Sequence, residues 1–239
     1  MMKLEGVTKQ YLRKTALMDV NLTLPEGSII GVVGENGSGK STLLKLMAGL
    51  VRPTRGQVTW NGQPVNRRIA SQVAYLSEEE TYYPFFTVRE MLAFSASQFD
   101  DFDWERAQKM VDFMRLDPDQ KIKNLSKGNR GRVKLIQTLS RNAPLILMDE
   151  PLSGLDPMVR DSIIKGLITF VDLEKQTVVI TTHEVNEVEP LLDWLVAVRD
   201  GEIIKEIEVE ELRAQEHRSI GEWMSQVYAG ATHKKEARL

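Results

Sequence analysis

Residues 28–41 read SIIGVVGENGSGKS: a short, β-branched apolar run, then a glycine-rich loop closing on Lys40 and Ser41. An apolar run of that length without polar alternation is the pattern of a strand covered on both faces. The stretch that follows, STLLKLMAGL (41–50), reads as a helix with Gly49 near its end. Strand, glycine loop and helix are the context in which G-x-x-x-x-G-K-[ST] acts as a phosphate-binding loop. Its glycines let the chain curl, so that the backbone of Gly34, Glu35, Asn36, Gly37, Ser38 and Gly39 turns successive N–H groups toward phosphate oxygens. The helix N-terminus adds its partial positive charge at the same point. Lys40 is expected to reach the β- and γ-phosphates and Ser41 to offer its hydroxyl to Mg²⁺, with Thr42 also placed to bond phosphate.

A phosphate loop implies a nucleoside triphosphate; a second motif narrows the chemistry. LILMDE (145–150) is a buried-strand pattern ending in two adjacent acids. Successive strand residues point to opposite faces, but at a strand's end the second can turn toward the loop. Asp149 is then the acid on the Mg²⁺ side, and Glu150 lies where it could polarise an attacking water. The guanine-reading pattern N-K-x-D is missing from the sequence, so ATP is the expected nucleotide.

The remaining pattern builds a fold around these motifs. MKLEGVT (2–8) and LMDVNLTL (17–24) alternate as half-buried strands do, and QVTW (57–60), Asn61-Gly62 and VAYL (73–76) mark a hairpin region. Thr87 and Glu90 form a capping box for a helix to about Ser97. Asp103 caps a helix whose apolar stripe is Ala107, Met110, Val111 and Met114. A further helix spans about 127–141, and Asp156-Pro157 starts another. TVVITT (177–182) is a buried strand, and LVAV, Asp200-Gly201 and EIIKEI form a hairpin. Strands alternating with helices indicate an α/β fold with a mixed, mainly parallel sheet, joined here to an N-terminal antiparallel β part and an inserted helical sub-domain. The expected boundaries are 1–86 with 142–206 for the ATP-binding core, 87–141 for the helical insertion and 207–239 for a charged tail. In that tail Ile220, Trp223, Met224 and Val227 make one helical stripe.

At 239 residues and a net charge of −3, the chain is long enough for a full core and has no broad basic field, so nucleic acid is not an expected partner. The absence of cysteine excludes disulfides and thiolate chemistry. No apolar run approaches the ~20 residues of a membrane helix, and the N-terminus lacks a signal-peptide core. The expectation is a cytoplasmic protein whose membrane role comes through a partner.

LSKGN (125–129), at the start of a helix, resembles the LSGGQ signature of ATP-binding-cassette (ABC) ATPases. The order phosphate loop, signature, D-E-P (149–151), SGLD (153–156) and TTH (181–183) is similar to that family over residues 1 to about 205. The resemblance implies two cassettes paired head to tail, homo- or heterodimeric, with ATP between the phosphate loop of one and the signature of the other. Ser126 and the Gly128 N–H would then meet the γ-phosphate across the interface, with Asp156 helping to join the two sites. His183 would contact the γ-phosphate and hold the water–Glu150 arrangement, and Tyr11 falls where the family stacks an aromatic on adenine. Catalysis would rest on Glu150, His183, Lys40 and Glu78, and metal binding on Ser41, Asp149 and Glu78. The implied role is the ATPase subunit of a transporter, peripheral on the inner face of the membrane. The alternative is an ABC ATPase serving a non-membrane partner such as an iron–sulfur assembly scaffold.

The sequence departs from the family at two places. Lys127 and Asn129 replace a glycine and a glutamine of the signature. The family's Y-L-P-Q becomes Tyr75-Leu76-Ser77-Glu78, opening YLSEEETYYPFFTVRE (75–90). Glu78 could ligate Mg²⁺ but, when ionised, donates no hydrogen bond. Both departures resemble exporter-type cassettes. The aromatics Tyr82, Tyr83, Phe85 and Phe86 either pack between sub-domains or receive a helix of an integral membrane subunit docking near Glu78–Ser97.

Overall fold

The computed structural model describes residues 1–79, 82–216 and 220–236. The chain opens with an antiparallel pair, β1 (Met2–Tyr11) and β2 (Lys14–Thr23). β3 (Ile29–Val33) runs through the loop 34–39 into α1 (Lys40–Met47). β4 (Arg55–Trp60) pairs with β1 and turns into the short β5 (Gln63–Pro64) at Asn61-Gly62, both with positive φ (49° and 77°), as a tight hairpin turn requires. Then follow β6 (Val73–Leu76), α2 (Val88–Gln98), α3 (Trp104–Phe113), α4 (Lys127–Leu139), β7 (Leu145–Asp149), α5 (Pro157–Phe170), β8 (Thr177–Thr182), β9 (Trp194–Arg199), β10 (Glu202–Glu208), α6 (Val209–Glu216) and α7 (Ile220–Glu236).

Two sheets result. One is antiparallel, in the order β2-β1-β4-β5. The other has six strands in the order β10-β9-β3-β8-β7-β6, parallel except for the β9–β10 hairpin at its edge. One expectation needs correction here. QVTW and Asn61-Gly62 form the hairpin, but VAYL is β6, an edge strand parallel to β7. The reason is burial on both faces: Ala74 and Leu76 enter one core and Val73 the other, which a solvated hairpin strand could not satisfy.

The period of two divides every apolar strand between two cores. Ile30, Val32, Leu145, Leu147, Val179, Val196 and Val198 face α1 and the antiparallel sheet. Ile29, Val33, Ile146, Met148, Val178, Ile180, Leu195 and Ala197 face the second core, which is continuous with the apolar stripes of α2, α3, α4 and α5. Each Val, Ile, Leu or Met among them contributes roughly 1.5–3 kcal/mol on burial. The stripe expected in the tail joins the same core: Ile220 and Trp223 are buried and Met224 and Val227 pack against it. β10 itself continues to Glu208.

Local signals set the helix starts. Thr87 and Glu90 form the reciprocal box, with Glu90 N–H donating to Thr87 Oγ1 (3.2 Å) and Thr87 N–H to Glu90 Oε2 (2.7 Å). Asp103, Ser126 and Asp156 each accept from the backbone N–H three residues on. The functional consequence lies in the register: Val33 is beside Thr182, and Asp149 beside Thr181. The three central strands therefore end together, and their carboxyl ends are where ligands bind in open α/β sheets.

Candidate active site

Two glycines of the loop 34–39 sit at close approaches that leave no room for a side chain. A Cβ on Gly34 would lie 2.3 Å from the Val198 carbonyl oxygen, and one on Gly39 (φ +115°) 2.6 Å from that of Ala16. Ser38 is buried; its N–H donates to the Glu35 carbonyl (3.2 Å), and its own carbonyl accepts from Gly201 N–H (2.9 Å). Whereas Thr87, Asp103, Ser126 and Asp156 cap their helices, α1 begins at Gly39 with no side-chain cap. The first N–H groups of α1 have no intrahelical partner, so this end is open to an anion. Ser41 and Thr42 are half-buried on that first turn.

Asp149 ends β7 with its carboxylate held by three hydroxyls. Ser41 Oγ donates to Oδ1 at 2.9 Å and Thr181 Oγ1 at 2.8 Å, while Tyr75 OH donates to Oδ2 at 3.2 Å. Burial, reinforced by the negative charge of Asp149, pushes the Tyr75 hydroxyl well above the usual tyrosine range. It therefore remains a donor at all physiological pH.

Glu150 leaves the strand geometry. Its φ is +47°, in the left-handed region uncommon for residues with a Cβ. That turn brings its carboxylate to the same side as the phosphate loop. Oε1 lies 3.3 Å from Lys40 Nζ, and His183 Nδ1 donates to Oε2 at 2.9 Å. Lys40 Nζ also donates to the carbonyls of Gly34 (2.8 Å) and Glu35 (3.2 Å). Phosphate-loop lysine, acid and histidine thus form one connected group.

Other expected residues make no hydrogen bond or ion pair to it. Glu78 follows β6 and is exposed; its carbonyl and that of Glu79 accept from Lys134 Nζ of α4 (3.2 and 3.0 Å). It lines a cavity of about 160 Å³ with Lys127, Arg130, Lys134, Ser153 and Glu150. Among the described residues no three acidic or histidine side chains gather to hold a metal. Ser126 and Asp156 spend their side chains on capping α4 and α5. Gly128 is pressed against α5, where a Cβ would meet Val159 Cγ2 at 2.7 Å. Tyr11 is exposed at the end of β1, with Lys9 Nζ 4.7 Å from its ring centroid.

Two residues of this group escaped the reading of the sequence: Tyr75 and Thr181. Each sits inside a motif that drew attention to a neighbour, Glu78 and His183 respectively. A third contact comes from α7. Tyr228 OH donates to the Val198 carbonyl (3.0 Å) beside Gly34, and burial with the nearby charge of Glu35 pushes its pKa up to about 12. Nothing in the spacing of the tail pointed to the phosphate loop.

The pair of oxygens from Ser41 and Asp149 suits a hard cation that takes its other ligands from phosphate and water, as Mg²⁺ does. An all-protein cage is not needed for that. The whole group offers phosphate binding, a metal-side acid and an oriented carboxylate within one strand-end cluster.

A sequence model of the family described as "ABC transporter" matches residues 17–153. The uncharacterised ABC transporter ATP-binding protein YhaQ of Bacillus subtilis is 28% identical over 222 residues, covering 89% of this chain and 73% of its own length. The petrobactin import ATP-binding protein YclP of the same organism is 28% identical over 223 residues, covering 89% and 88%. Among solved structures, the dimeric post-hydrolysis state of the ATP-binding cassette MJ0796, bound to ADP and Pi, superposes with a TM-score of 0.77 at 28% identity, covering 87% of this chain and 99% of that one. Together with a phosphate loop, an acidic pair and a histidine converging at three strand ends, these likenesses place the chain in the ABC transporter family, as an ATP-binding subunit that hydrolyses ATP.

Proposed function

We propose that this chain drives a separate membrane subunit through ATP-dependent, head-to-tail pairing with a second cassette, and that residues 87–141 act as the lever between the core (1–86, 142–206) and that subunit. The supporting observation is the placement of the Glu150 carboxylate between Lys40 and His183. In this reading the N–H groups of residues 34–39 and the first turn of α1 bind the phosphates of ATP. Lys40 transfers its ammonium from Glu150 to the β- and γ-phosphate oxygens. The carboxylate so released takes the proton of a water attacking the γ-phosphorus as the bond from that phosphorus to the β–γ bridging oxygen breaks and ADP leaves, while His183 keeps the carboxylate aimed. Ser41 and Asp149 hold Mg²⁺, which neutralises charge on the phosphates. Across the pair, Ser126 and the Gly128 N–H at the start of α4 meet the γ-phosphate held by the other chain, with Asp156 close to the joint; helix starts favour such anions. Tyr11 offers its exposed ring to adenine.

The segment 82–94 carries the partner side of the proposal. Tyr82 and Phe86 pack against the core, but Tyr83 and Phe85 are 44% and 63% exposed, and Tyr83 stacks edge-on with Phe94 at 5.3 Å. Such a cluster suits a helix of a membrane subunit. No helix among the described residues is long and apolar enough to cross a membrane, in keeping with a spanning part supplied by another chain and a peripheral place on the inner face. YclP is named as an ATP-binding protein for petrobactin import, so the exporter reading of Lys127 and Glu78 gains no support and the proposal assigns no direction. The non-membrane alternative has no counterpart among the relatives described above.

The test is Glu150→Gln. With Mg²⁺ and ATP it should lose turnover, retain nucleotide and elute as a stable dimer. Hydrolysis at the normal rate would sink the assignment of Glu150 as base. A species that stays monomeric with ATP bound would sink the pairing.

A further inference from the structure

We propose that Thr181 is a positioning residue for ATP hydrolysis: its hydroxyl latches the backbone of Glu150 in the left-handed turn and at the same time orients Asp149. The inference rests on the reading of Glu150 as base and Asp149 as metal-side acid.

The geometry is a relay through one oxygen. Glu150 N–H donates to Thr181 Oγ1 at 3.0 Å, and Thr181 Oγ1 donates to Asp149 Oδ1 at 2.8 Å. A hydroxyl has one proton and two acceptor sites. It gives that proton to the carboxylate rather than to the Met148 carbonyl, which lies at 3.4 Å. Thr181 is completely buried, so no water substitutes for either bond. Without the hydroxyl, the Glu150 N–H would lose its acceptor at the residue whose φ of +47° is intrinsically unfavourable.

β8 and the residue after it hold Glu150 at two points: Thr181 inside the strand and His183 just beyond its end both reach the acidic pair, while Thr182 accepts from Glu184 N–H (2.9 Å). Thr181 holds the backbone of Glu150 and His183 holds its carboxylate. Direct pairing of Asp149 with Thr181 across the sheet makes the reach short. The turn that aims Glu150 is thereby fixed by the neighbouring strand as well as by its own loop.

The experiment compares Thr181→Val, which keeps shape and β-branching but lacks the hydroxyl, with Thr181→Ser, which keeps the hydroxyl. Removing an outer partner of this kind typically costs 10–100-fold. The Val variant should lose about that much kcat, while its Kd for a non-hydrolysable ATP analogue measured without Mg²⁺ stays within about threefold. Thr181→Ser should restore kcat to within about threefold of the parent. Thermal melting of each variant checks folding, and if Val fails to fold, the Ser and Ala variants carry the same comparison. Wild-type kcat in Thr181→Val overturns the proposal, as does a Ser variant as slow as Val or a parallel loss of analogue binding. Failure of the underlying reading has a separate signature, wild-type turnover in Glu150→Gln, and a slow Thr181→Val beside an active Glu150→Gln also overturns the latch.

Discussion

Lys40 Nζ and Glu150 Oε1 lie 3.3 Å apart, with side chains only 4% and 8% exposed. The cation proposed for phosphate and the carboxylate proposed for water thus neutralise each other. Removing one member of a buried pair strands the other's charge, typically at a cost of about 3–5 kcal/mol. Lys40→Ala should therefore weaken ATP binding by at least ~10-fold, the ~1.4 kcal/mol of a single lost phosphate contact, and lower stability to urea. Adding Glu150→Gln should recover most of the stability but none of the affinity. Titration calorimetry and urea unfolding on the four forms check both halves; unchanged ATP binding in Lys40→Ala would count against the phosphate-loop reading.

Glu78 stands exposed on a loop tied to α4 by Lys134. A carboxylate there adds negative charge near incoming ATP without a donor to offer. Glu78→Gln should leave steady-state hydrolysis equal or higher, with half-saturation at lower ATP. A complete loss of turnover would show that the carboxylate has a required role of its own.

Gly128 lets α4 approach α5. An added Cβ would meet Val159 Cγ2 at 2.7 Å, on a branched side chain with little freedom to retreat. Gly128→Ala should destabilise by about 1–3 kcal/mol, the usual cost of overpacking. Combining it with Val159→Ala should return much of the loss. Differential scanning calorimetry gives the answer, and an unchanged melting point would mean that the helices separate freely.

Phe85 is 63% exposed while its neighbour Phe86 packs on the core. Phe85→Ser should shift stability by no more than about 0.5 kcal/mol, as surface changes usually do. The same change should abolish stimulation of ATPase activity by the co-expressed membrane subunit. Full stimulation would move the docking surface elsewhere.

Tyr75 supplies a pH prediction. Burial first, then the Asp149 charge, raise its pKa in the folded state, whereas an unfolded tyrosine titrates near about 10. Above that pH the folded form binds more protons than the unfolded one, so stability is fully present below about pH 10 and falls as pH rises further. Tyr75→Phe should flatten that fall in urea midpoints measured from pH 9 to 11. Identical slopes for the two proteins would contradict the raised pKa of the buried Tyr75 hydroxyl.

Local chemistry made the outline of the protein readable. The strand–glycine loop–helix unit, the Thr87–Glu90 box and the caps at Asp103 and Asp156 each depend on residues within a few positions of one another, and all are present. VAYL misled because a four-residue apolar run carries no record of which sheet will cover it. The folded chain put it beside β7, where both its faces are buried.

By itself, the sequence determined that a phosphate loop, an acidic pair and a histidine exist and in what order they occur. Tertiary structure decided how they face one another. The turn of Glu150 depends on Thr181, 31 residues away, and the hold on Asp149 on Ser41 and Tyr75, 108 and 74 residues away. Such partners meet only when the ends of β3, β7 and β8 are brought into register. Hydrogen bonds that close over those separations leave no periodicity in the chain, because their geometry is set by the sheet.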